Sequence, residues 1–421
     1  MGLTFGDLIQ AIRNEHDLNC MSVPRRYRHL GDFHKYYSGQ SRAPVLTIVI
    51  GGNHEASNYL FELYHGGWLA PNIYYLGAAG VIRYGPWRIA GLSGIYDKRD
   101  YRKPHHERLP HDRQSIKSVY HVRECDVRKL LSVSGDVDVC LSHDWPAWVE
   151  LFGDCEELYA SKPPFHESAK KDGLGNEPAT QLLDHLRPAY WFSGHMHVRF
   201  YAAVQHTGGT IDETVRKLDV SETLRSKLPV FDNRYTAALT SATPGVEKSK
   251  NTTTSFLALG KVGQDPDTYL NLLELDHPSR SENAQYLERT TNDKYHLYYD
   301  EEWLAITRAS NDSLQLANPE TLVVPPSRRN TPQITAETIA GHQTWVRENL
   351  TAKGLLKIPQ NFVAHAPFHA AGLVGTEEQP VEYPNAQTSA FAELLQMQNK
   401  FEVLEMGSGS EGEESDGIEF G

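Results

Sequence analysis

Residues 45–60 read VLTIVIGGNHEASNYL, and this stretch carries the strongest structural signal in the chain. Its opening run, residues 45–50, is apolar or β-branched without a break, which predicts a strand buried on both faces of a layered sheet. Two glycines then allow a tight turn that presents Asn53 and His54 at the end of the strand. Because sheets of this kind carry their chemistry beyond the strand ends, we expect the turn to belong to a functional site.

The same pattern of a short apolar run and a polar turn recurs along residues 44–205. The further predicted strands are RIAGL (88–92), DVDVCL (136–141) and YWF (190–192). Helical stretches lie between them at VRKLL (127–131) and PATQLLDHL (178–186), the second with a proline suited to a first helical turn. Strands that alternate with helices in this way predict an α/β domain.

Two of these runs are also followed by histidines. His143 and Asp144 stand in LSHDWP, and His195 and His197 stand in SGHMH. One such histidine is more often a hydrogen-bonded polar residue than a ligand, but three motifs at three strand ends favour a shared site. Imidazole nitrogens and the amide oxygen of Asn53 are suitable ligands for Zn, Fe or Mn. A pair of such ions roughly 3.5–4 Å apart would suit phosphodiester hydrolysis.

Composition restricts the class of protein and the partners it can have. The chain has 421 residues, of which 39% are hydrophobic and 23% are charged. This length and composition predict a globular protein of two modules without a membrane segment. A net charge of −13 by itself argues against a nucleic-acid partner, but the last twenty residues alone hold seven carboxylates and no lysine or arginine. In contrast, KRDYRKPHHER at 98–108 is basic, so a local phosphate-binding face is still expected.

The remaining sequence signals concern location and domain organisation. Four scattered cysteines and no signal peptide favour reduced thiols in the nucleus or cytoplasm. No nucleotide-triphosphate loop is found. We expect Tyr59, Leu60, Leu63 and Tyr64 to be core residues, because they recur at helical spacing, and Tyr74 and Tyr75 to be packing residues as well.

The chain changes character after residue 205. We predict a catalytic domain at 1–205, a linker or insertion at 206–234, a smaller α+β domain at 235–400 and a disordered acidic tail at 401–421. The second domain has strand-like SFLALG and YLNLLEL, a helix at 335–350 and another helix near residue 388.

Longer runs narrow the interpretation. Together with GNHE and GHxH, several longer runs of sequence resemble the lariat debranching branch of the calcineurin-like metallophosphoesterases. The resemblance covers nearly all of residues 10–205 and is weaker in the second half of the chain. The runs are AIRNEHDLNCMSVPRRYRHLGDFHKYYSG, APVLTIVIGGNHEASNYLFELYHGGWLAPNIYYLG, GLSGIYDKRDYRKPHHERLP, SIKSVYHVRECDVRKL and LSHDWP. The resemblance implies a β-sandwich flanked by helices, and hydrolysis of the 2′,5′-phosphodiester at the branch point of excised intron RNA.

The resemblance also implies roles for particular residues. Asn53, His143, His195 and His197 match metal ligands, for two divalent ions (Mn, Fe or Zn) in a complete family member, and His54 matches the catalytic histidine. The substrate would be branched lariat RNA in the nucleus, and the C-terminal domain would be a site for a protein partner. Substrate-binding residues would be Tyr96, Arg102, Lys103, Tyr120 and His121, where arginines hold phosphate and tyrosines, Tyr101 included, stack on unpaired bases.

The N-terminus departs from the family pattern. The family begins with a strand that ends in DxH or CxH, and a second strand that ends in GD. Gly6 and Asp7 are present, but we expect no apolar strand before them, and FGDLIQAIRN has one residue more than the family spacing. Two alternatives therefore stay open: a non-catalytic RNA-binding relative or truncated product with an incomplete metal site, and an esterase for another phosphate ester.

Overall fold

The fold is known for most of the chain. The computed structural model describes residues 1–5, 9–171, 174–206, 249, 251–261, 269–276, 278, 284–292, 294–316, 334–370 and 377–402. Asp7, most of the predicted linker and the predicted tail beyond residue 402 lie outside the described residues. Within them, two sheets pack face to face and helices cover the outer faces.

The smaller sheet has four strands. They are β1 (Gly2–Phe5), β2 (Thr47–Ile50), β3 (Gly67–Ala70) and β4 (Ile73–Tyr75), in the order β1-β2-β4-β3. Strand β2 runs parallel to both of its neighbours, β1 and β4. It is buried along most of its length, as a continuous apolar run predicts.

The larger sheet has seven strands in the described part of the chain. They are β5 (Ala79–Tyr84), β6 (Trp87–Leu92), β7 (Val139–Ser142), β8 (Tyr190–Ser193), β9 (Phe200–Gln205), β10 (Thr253–Ala258) and β11 (Leu297–Tyr299). Their order is β11-β5-β6-β7-β8-β10-β9, with parallel pairing from β6 through β10. The predicted strands at 45–50, 88–92, 136–141 and 190–192 are thus confirmed as β2, β6, β7 and β8.

Ten α-helices are described. They are α1 (Phe33–Tyr37), α2 (Ser57–Glu62), α3 (Ser115–Ser118), α4 (Glu124–Leu131), α5 (Cys155–Ser161), α6 (Pro163–Ala169), α7 (Glu177–Leu186), α8 (Glu301–Ser310), α9 (Ala336–Asn349) and α10 (Ala386–Leu394). The helix predicted at 178–186 is confirmed as α7, which Asn176 caps by accepting the Ala179 amide. The helices predicted at 335–350 and near 388 are confirmed as α9 and α10.

The core has one layer between the sheets and one on each outer face. Ile48, Ile50, Leu141 and Phe192 lie in the middle layer. The residues predicted to be packing residues are all buried, namely Tyr59, Leu60, Leu63, Tyr64, Tyr74 and Tyr75. Among the described residues no helix combines the length and apolar character needed to cross a bilayer. All four cysteines are free.

The strand β1 corrects a prediction from the sequence. We expected no strand before Gly6 and Asp7, but Gly2–Phe5 pairs in parallel with Thr47–Ile50. The prediction was wrong because a run of four residues has too little pattern of its own. Its backbone hydrogen bonds come from the edge of β2, which lies more than forty residues away in sequence.

The second half of the chain contains another correction. YLNLLEL at 269–275 was predicted to be strand-like, yet residues 269–276 contain no strand, and Leu272 is 97% exposed. An apolar pattern does not make a strand where no neighbouring strand pairs with it. SFLALG, in contrast, forms most of β10, which lies between β8 and β9 in the larger sheet. The later part of the chain therefore completes the sheet of the earlier part.

Candidate metal centre

Three polar turns meet at one end of the sandwich. Strands β7 and β8 are parallel neighbours, with Ser142 paired to Ser193 at their carboxyl ends. The residues that follow them therefore leave the sheet side by side. The imidazole rings of His143 and His195 lie 5.0 Å apart, centroid to centroid.

The turn after β2 brings the third group. The Oδ1 atom of Asn53 lies 3.0 Å from Nε2 of His143, although the two residues are ninety positions apart in sequence. His143 is buried, and Asn53 is half-buried. Two donor atoms at this separation fit the coordination of one cation, because an amide oxygen and an imidazole nitrogen are both suited to a transition metal.

The backbone of the SGHMH turn is strained. His195 and His197 have φ angles of 58° and 55°, in the left-handed region that non-glycine residues rarely occupy. Each such residue costs about 1 kcal/mol, and strain of this kind concentrates at functional sites. The amide of Gly194 donates to the carbonyl of His143 at 3.0 Å, which ties this turn to its neighbour. Both histidines are half-buried.

Serines brace the two histidine turns from below. The hydroxyl oxygens of Ser142 and Ser193 lie 2.9 Å apart, and the indole of Trp191 donates to the Ser142 oxygen at 2.9 Å. The indole of Trp145 donates to the Gly194 carbonyl at the same distance. This brace was not predicted from the sequence. Its signal is the serine that ends both β7 and β8, just before each histidine motif.

Asp144 connects the turn after β7 to the predicted substrate-binding residues. Burial raises the pKa of its carboxyl group to about 6, although the nearby His143 acts in the opposite direction. The carboxylate accepts the Trp145 amide at 2.9 Å and also the backbone amide of Tyr96. The turn after β7 therefore fixes the start of the stretch that was predicted to bind RNA.

The turn with His54 is joined to that stretch as well. The amide of Gly51 donates to the Ser93 hydroxyl at 3.0 Å, and the amide of Gly94 donates to the Gly51 carbonyl at 2.9 Å. Gly94 has a φ of 88°, and a Cβ there would lie 2.0 Å from the Tyr120 carbonyl oxygen. Only glycine fits this close approach. His54 is half-buried on the same turn.

We use the name recognition segment for residues 93–108 and 118–123. Its predicted substrate-binding residues differ in exposure: Arg102 and Lys103 are exposed, and Tyr96 and Tyr120 are half-buried. His121 is buried, and its Nδ1 atom lies 2.7 Å from Asp100. Two cations and two aromatic rings therefore reach the surface here, with the imidazole behind them.

Asp100 organises this segment, although no sequence motif marked it as a functional residue. It accepts from Lys103 Nζ at 2.7 Å and contacts His121 on its other oxygen, while Arg123 donates to its carbonyl at 2.7 Å. Burial alone would raise the pKa of Asp100, but the hydrogen bonds from Lys103 and His121 lower it. Its signal in the sequence was an acidic residue with basic neighbours on both sides, in KRDYRK at 98–103.

Tyr101 does not have the predicted position. It was expected to stack on a base, but it is only 3% exposed and belongs to the hydrophobic core. Its ring packs edge-on against Tyr96 at 5.5 Å. The prediction was wrong because Tyr96 and Tyr101 look alike in the sequence, and only the packing of the loop decides which ring faces outward.

Two other groups of donor atoms occur in the described part of the chain. One consists of His105, Cys125 and Asp126, and the other of Asp97, Asp100 and His121. In each group the donor atoms lie within 4.8 Å of one another. A lysine already neutralises a carboxylate in both: Lys129 lies 3.0 Å from Asp126, and Lys103 lies 2.7 Å from Asp100. In both groups a lysine ammonium therefore already supplies the positive charge that a metal ion would bring.

A distant segment holds the far end of the basic loop. We call residues 377–385 the C-terminal clamp. Glu382 pairs with Arg108 and accepts the Leu109 amide at 3.1 Å. Gln379 accepts the His111 amide at 2.6 Å and donates to the His111 carbonyl at 2.7 Å. We call residues 51–54, 143–144 and 194–197, which carry the candidate ligands, the metal turns. The loop is thus fixed at one end by the metal turns and at the other by the clamp.

A two-sheet sandwich with imidazole and amide donors gathered beyond its strand ends defines a protein of the metallophosphoesterase class. Comparison with known proteins narrows this class. Residues 251–400 match the family profile of the lariat debranching enzyme C-terminal domain.

Relatives match nearly the whole chain. The lariat debranching enzyme of Arabidopsis thaliana is 39% identical over 93% of this chain and 78% of its own length. That of Schizosaccharomyces pombe is 35% identical over 94% of this chain and 91% of its own. The human lariat debranching enzyme is 38% identical, and the aligned region covers 62% of it. The chain belongs to the lariat debranching enzyme family.

Proposed function

We propose that this chain hydrolyses the 2′,5′-phosphodiester bond at the branch point of excised intron lariat RNA. Membership of the family supports the reaction. The observation that carries the proposal is the 3.0 Å approach of Asn53 to His143, because it joins two separate sheets at one donor cluster. Hydrolysis adds the oxygen of water to phosphorus and breaks the bond to the branch-point 2′ oxygen.

The proposed metal ligands are Asn53, His143, His195 and His197. The donor chemistry fits divalent Mn, Fe or Zn, and the paired strands β7 and β8 fix the turns that carry three of the four. Two ions bound there would activate water and stabilise negative charge on the phosphate oxygens.

His54 is proposed as the proton donor. It follows the ligand Asn53 directly, so the tight turn after β2 divides the work between neighbours: one residue binds metal, and the next delivers a proton. The 2′ oxygen must gain a proton to leave as a hydroxyl group. A positioned imidazole contributes about 10²–10⁴-fold to such a step.

The recognition segment is proposed to bind the branched RNA. Arg102 and Lys103 would contact phosphates, whereas Tyr96 and Tyr120 would contact bases or riboses. His121 supports this surface from behind through Asp100. The amide of Gly94 donates a hydrogen bond to the Gly51 carbonyl. RNA that lies on the recognition segment would therefore be held next to the metal turns.

Cellular location and further partners complete the proposal. A substrate released by splicing places the protein in the nucleus, with the cytoplasm as a second compartment. We also propose that the C-terminal domain binds a protein partner.

Cleavage of synthetic RNA tests this function. The intact chain, incubated with Mn²⁺, Fe²⁺ or Zn²⁺, should release the branch from a 2′,5′-branched RNA and spare the linear 3′,5′ strand. Hydrolysis of simple phosphate esters at a similar rate would favour the alternative of a general esterase. Binding of the branch without cleavage under all three metals would favour the alternative of a non-catalytic RNA-binding relative.

A further inference from the structure

A cavity with a volume of about 830 Å³ opens at the end of the sandwich opposite the metal turns. Its walls include residues 42–46, which precede β2, whereas Asn53 follows β2. With roughly 3.3 Å per residue, the cavity and the metal turns lie about 20 Å apart. The volume falls within the roughly 300–1,000 Å³ that is usual for ligand sites.

The rim of this cavity is cationic. Arg42, Lys294 and Lys357 are exposed lining residues, and none of them forms an ion pair with a described carboxylate. The described residues that line the cavity include no aspartate or glutamate. In a chain with a net charge of −13, three such cations around one concavity form an unusual positive surface.

A fourth basic group faces one of these lysines. The Nζ atom of Lys357 lies 2.9 Å from Nε2 of His296, so the ammonium donates to a neutral imidazole. Burial and the charge of Lys357 lower the pKa of His296, and Glu288 acts in the opposite direction. Glu288 itself accepts the Tyr298 hydroxyl at 2.9 Å. An anion in the cavity would give Lys357 the charged partner that it lacks among the described residues.

The floor of the cavity is apolar and rigid. Trp68 is buried, and its indole donates to the Pro359 carbonyl at 2.8 Å. Tyr84 packs edge-on against Tyr295 at 5.8 Å, and Asn72 is fixed by its bond to the Ala43 carbonyl at 2.8 Å. A cationic rim above an apolar floor with a half-buried tyrosine suits a ligand with phosphate groups and an apolar or aromatic body.

We propose that this cavity binds the phosphate and base of a nucleotide unit, independently of the metal turns. Lys294, Lys357 and Arg42 bind phosphate oxygens, and the half-buried ring of Tyr295, which packs on the floor, contacts the base. The phosphate comes either from an RNA strand that extends beyond the branch or from a free nucleotide. The chemistry at the rim is the same for both sources.

The test uses the intact chain with Arg102→Gln and Lys103→Gln, so that binding by the recognition segment is weakened. Into this background go Lys294→Gln and Lys357→Gln together, and, as a matched control for charge, Lys117→Gln and Lys353→Gln, two exposed lysines outside the cavity. The probes are a fluorescent linear ten-residue oligouridylate and adenosine monophosphate. Thermal unfolding establishes that every variant folds.

The cavity variant should bind the oligouridylate about tenfold more weakly than the control. The slope of log affinity against log salt concentration should also be shallower by about 1.4 in the cavity variant, because two phosphate contacts are lost. Competition by adenosine monophosphate would support a free nucleotide as the source, and no competition would support an RNA strand. Equal affinity of the cavity variant and the control for both probes would overturn the proposal. Branch cleavage is measured separately and tests the metal turns alone.

Discussion

The metal turns and the recognition segment lie side by side, yet different forces hold them in place. The metal turns take their geometry from the register of β7 and β8 and from the serine brace beneath them. The recognition segment has an isolated parallel bridge at Ile95 and His121, and depends on Asp100 and the C-terminal clamp. Backbone pairing therefore positions the proposed chemistry, and side-chain charge positions the proposed RNA surface.

This difference predicts separable effects of mutation. Changes in the metal turns should act on the rate of cleavage, whereas changes in the recognition segment and its supports should act on RNA binding or on stability. A change in the clamp that altered only the rate at saturating RNA would break the comparison.

The largest effect is expected for His54→Ala. The rate of branch cleavage should fall by about 10²–10⁴-fold because the leaving 2′ oxygen loses its proton donor. Single-turnover kinetics measure the rate, and elemental analysis measures the bound metal, which should be unchanged. His29→Ala, which replaces a histidine outside these turns, is the control. An undiminished rate in the His54 variant would remove this residue from the mechanism.

Glu382→Ala should act on stability and RNA affinity. Arg108 is only 7% exposed, so removal of its partner leaves a buried guanidinium without this charge, at a cost of about 3 kcal/mol. Chemical denaturation measures the loss, and filter binding of branched RNA should weaken. Glu377→Ala is the matched control, because its pair with Arg25 is exposed on both sides and contributes about 0–1 kcal/mol. Equal losses in the two variants would refute a clamp role for Glu382.

The buried imidazole of His111 should make the free energy of unfolding depend on pH. It is 8% exposed, and neither ring nitrogen has a hydrogen-bond partner among the described residues. Burial lowers its pKa to about 4, against the opposing charges of Glu107 and Asp112. Because the unfolded state binds the proton more readily, stability is lost as the pH falls from about 6.5 to 4, by up to roughly 3 kcal/mol.

His111→Leu isolates this contribution. Urea unfolding at pH 7 and pH 4.5 should show a smaller acid-induced loss in the variant than in the parent chain. His106→Leu, at a half-buried position in the same loop, serves as the comparison. An identical pH profile for the parent and the His111 variant would show that this imidazole is not buried in its neutral form.

The smallest effect is expected for Arg102→Gln with Lys103→Gln. Affinity for branched RNA should fall about tenfold, and its salt dependence should be shallower by about 1.4, as two phosphate contacts are lost. Cleavage at saturating RNA should be retained, since both side chains lie outside the metal turns. A salt slope equal to that of the parent chain would mean that neither cation contacts phosphate.

Local patterns predicted the elements that contain their own evidence. The apolar run before Asn53 and the capped helix α7 were both predicted correctly, because burial on both faces and a capping residue leave marks in adjacent positions. Strand β1 and the segment around Leu272 were predicted wrongly. Whether either pairs with a neighbour depends on backbone far away in sequence.

The sequence alone determined the strand–turn alternation, the candidate donors Asn53, His143 and His195, and the presence of a basic loop in an acidic chain. These features depend on residue type and on spacing within a few positions. Only the tertiary structure decided that Asn53 lies 3.0 Å from His143, that Tyr101 is buried, and that residues 377–385 hold the recognition segment. Each of these depends on contacts between residues distant in sequence, which side-chain packing and sheet register fix and local pattern does not encode.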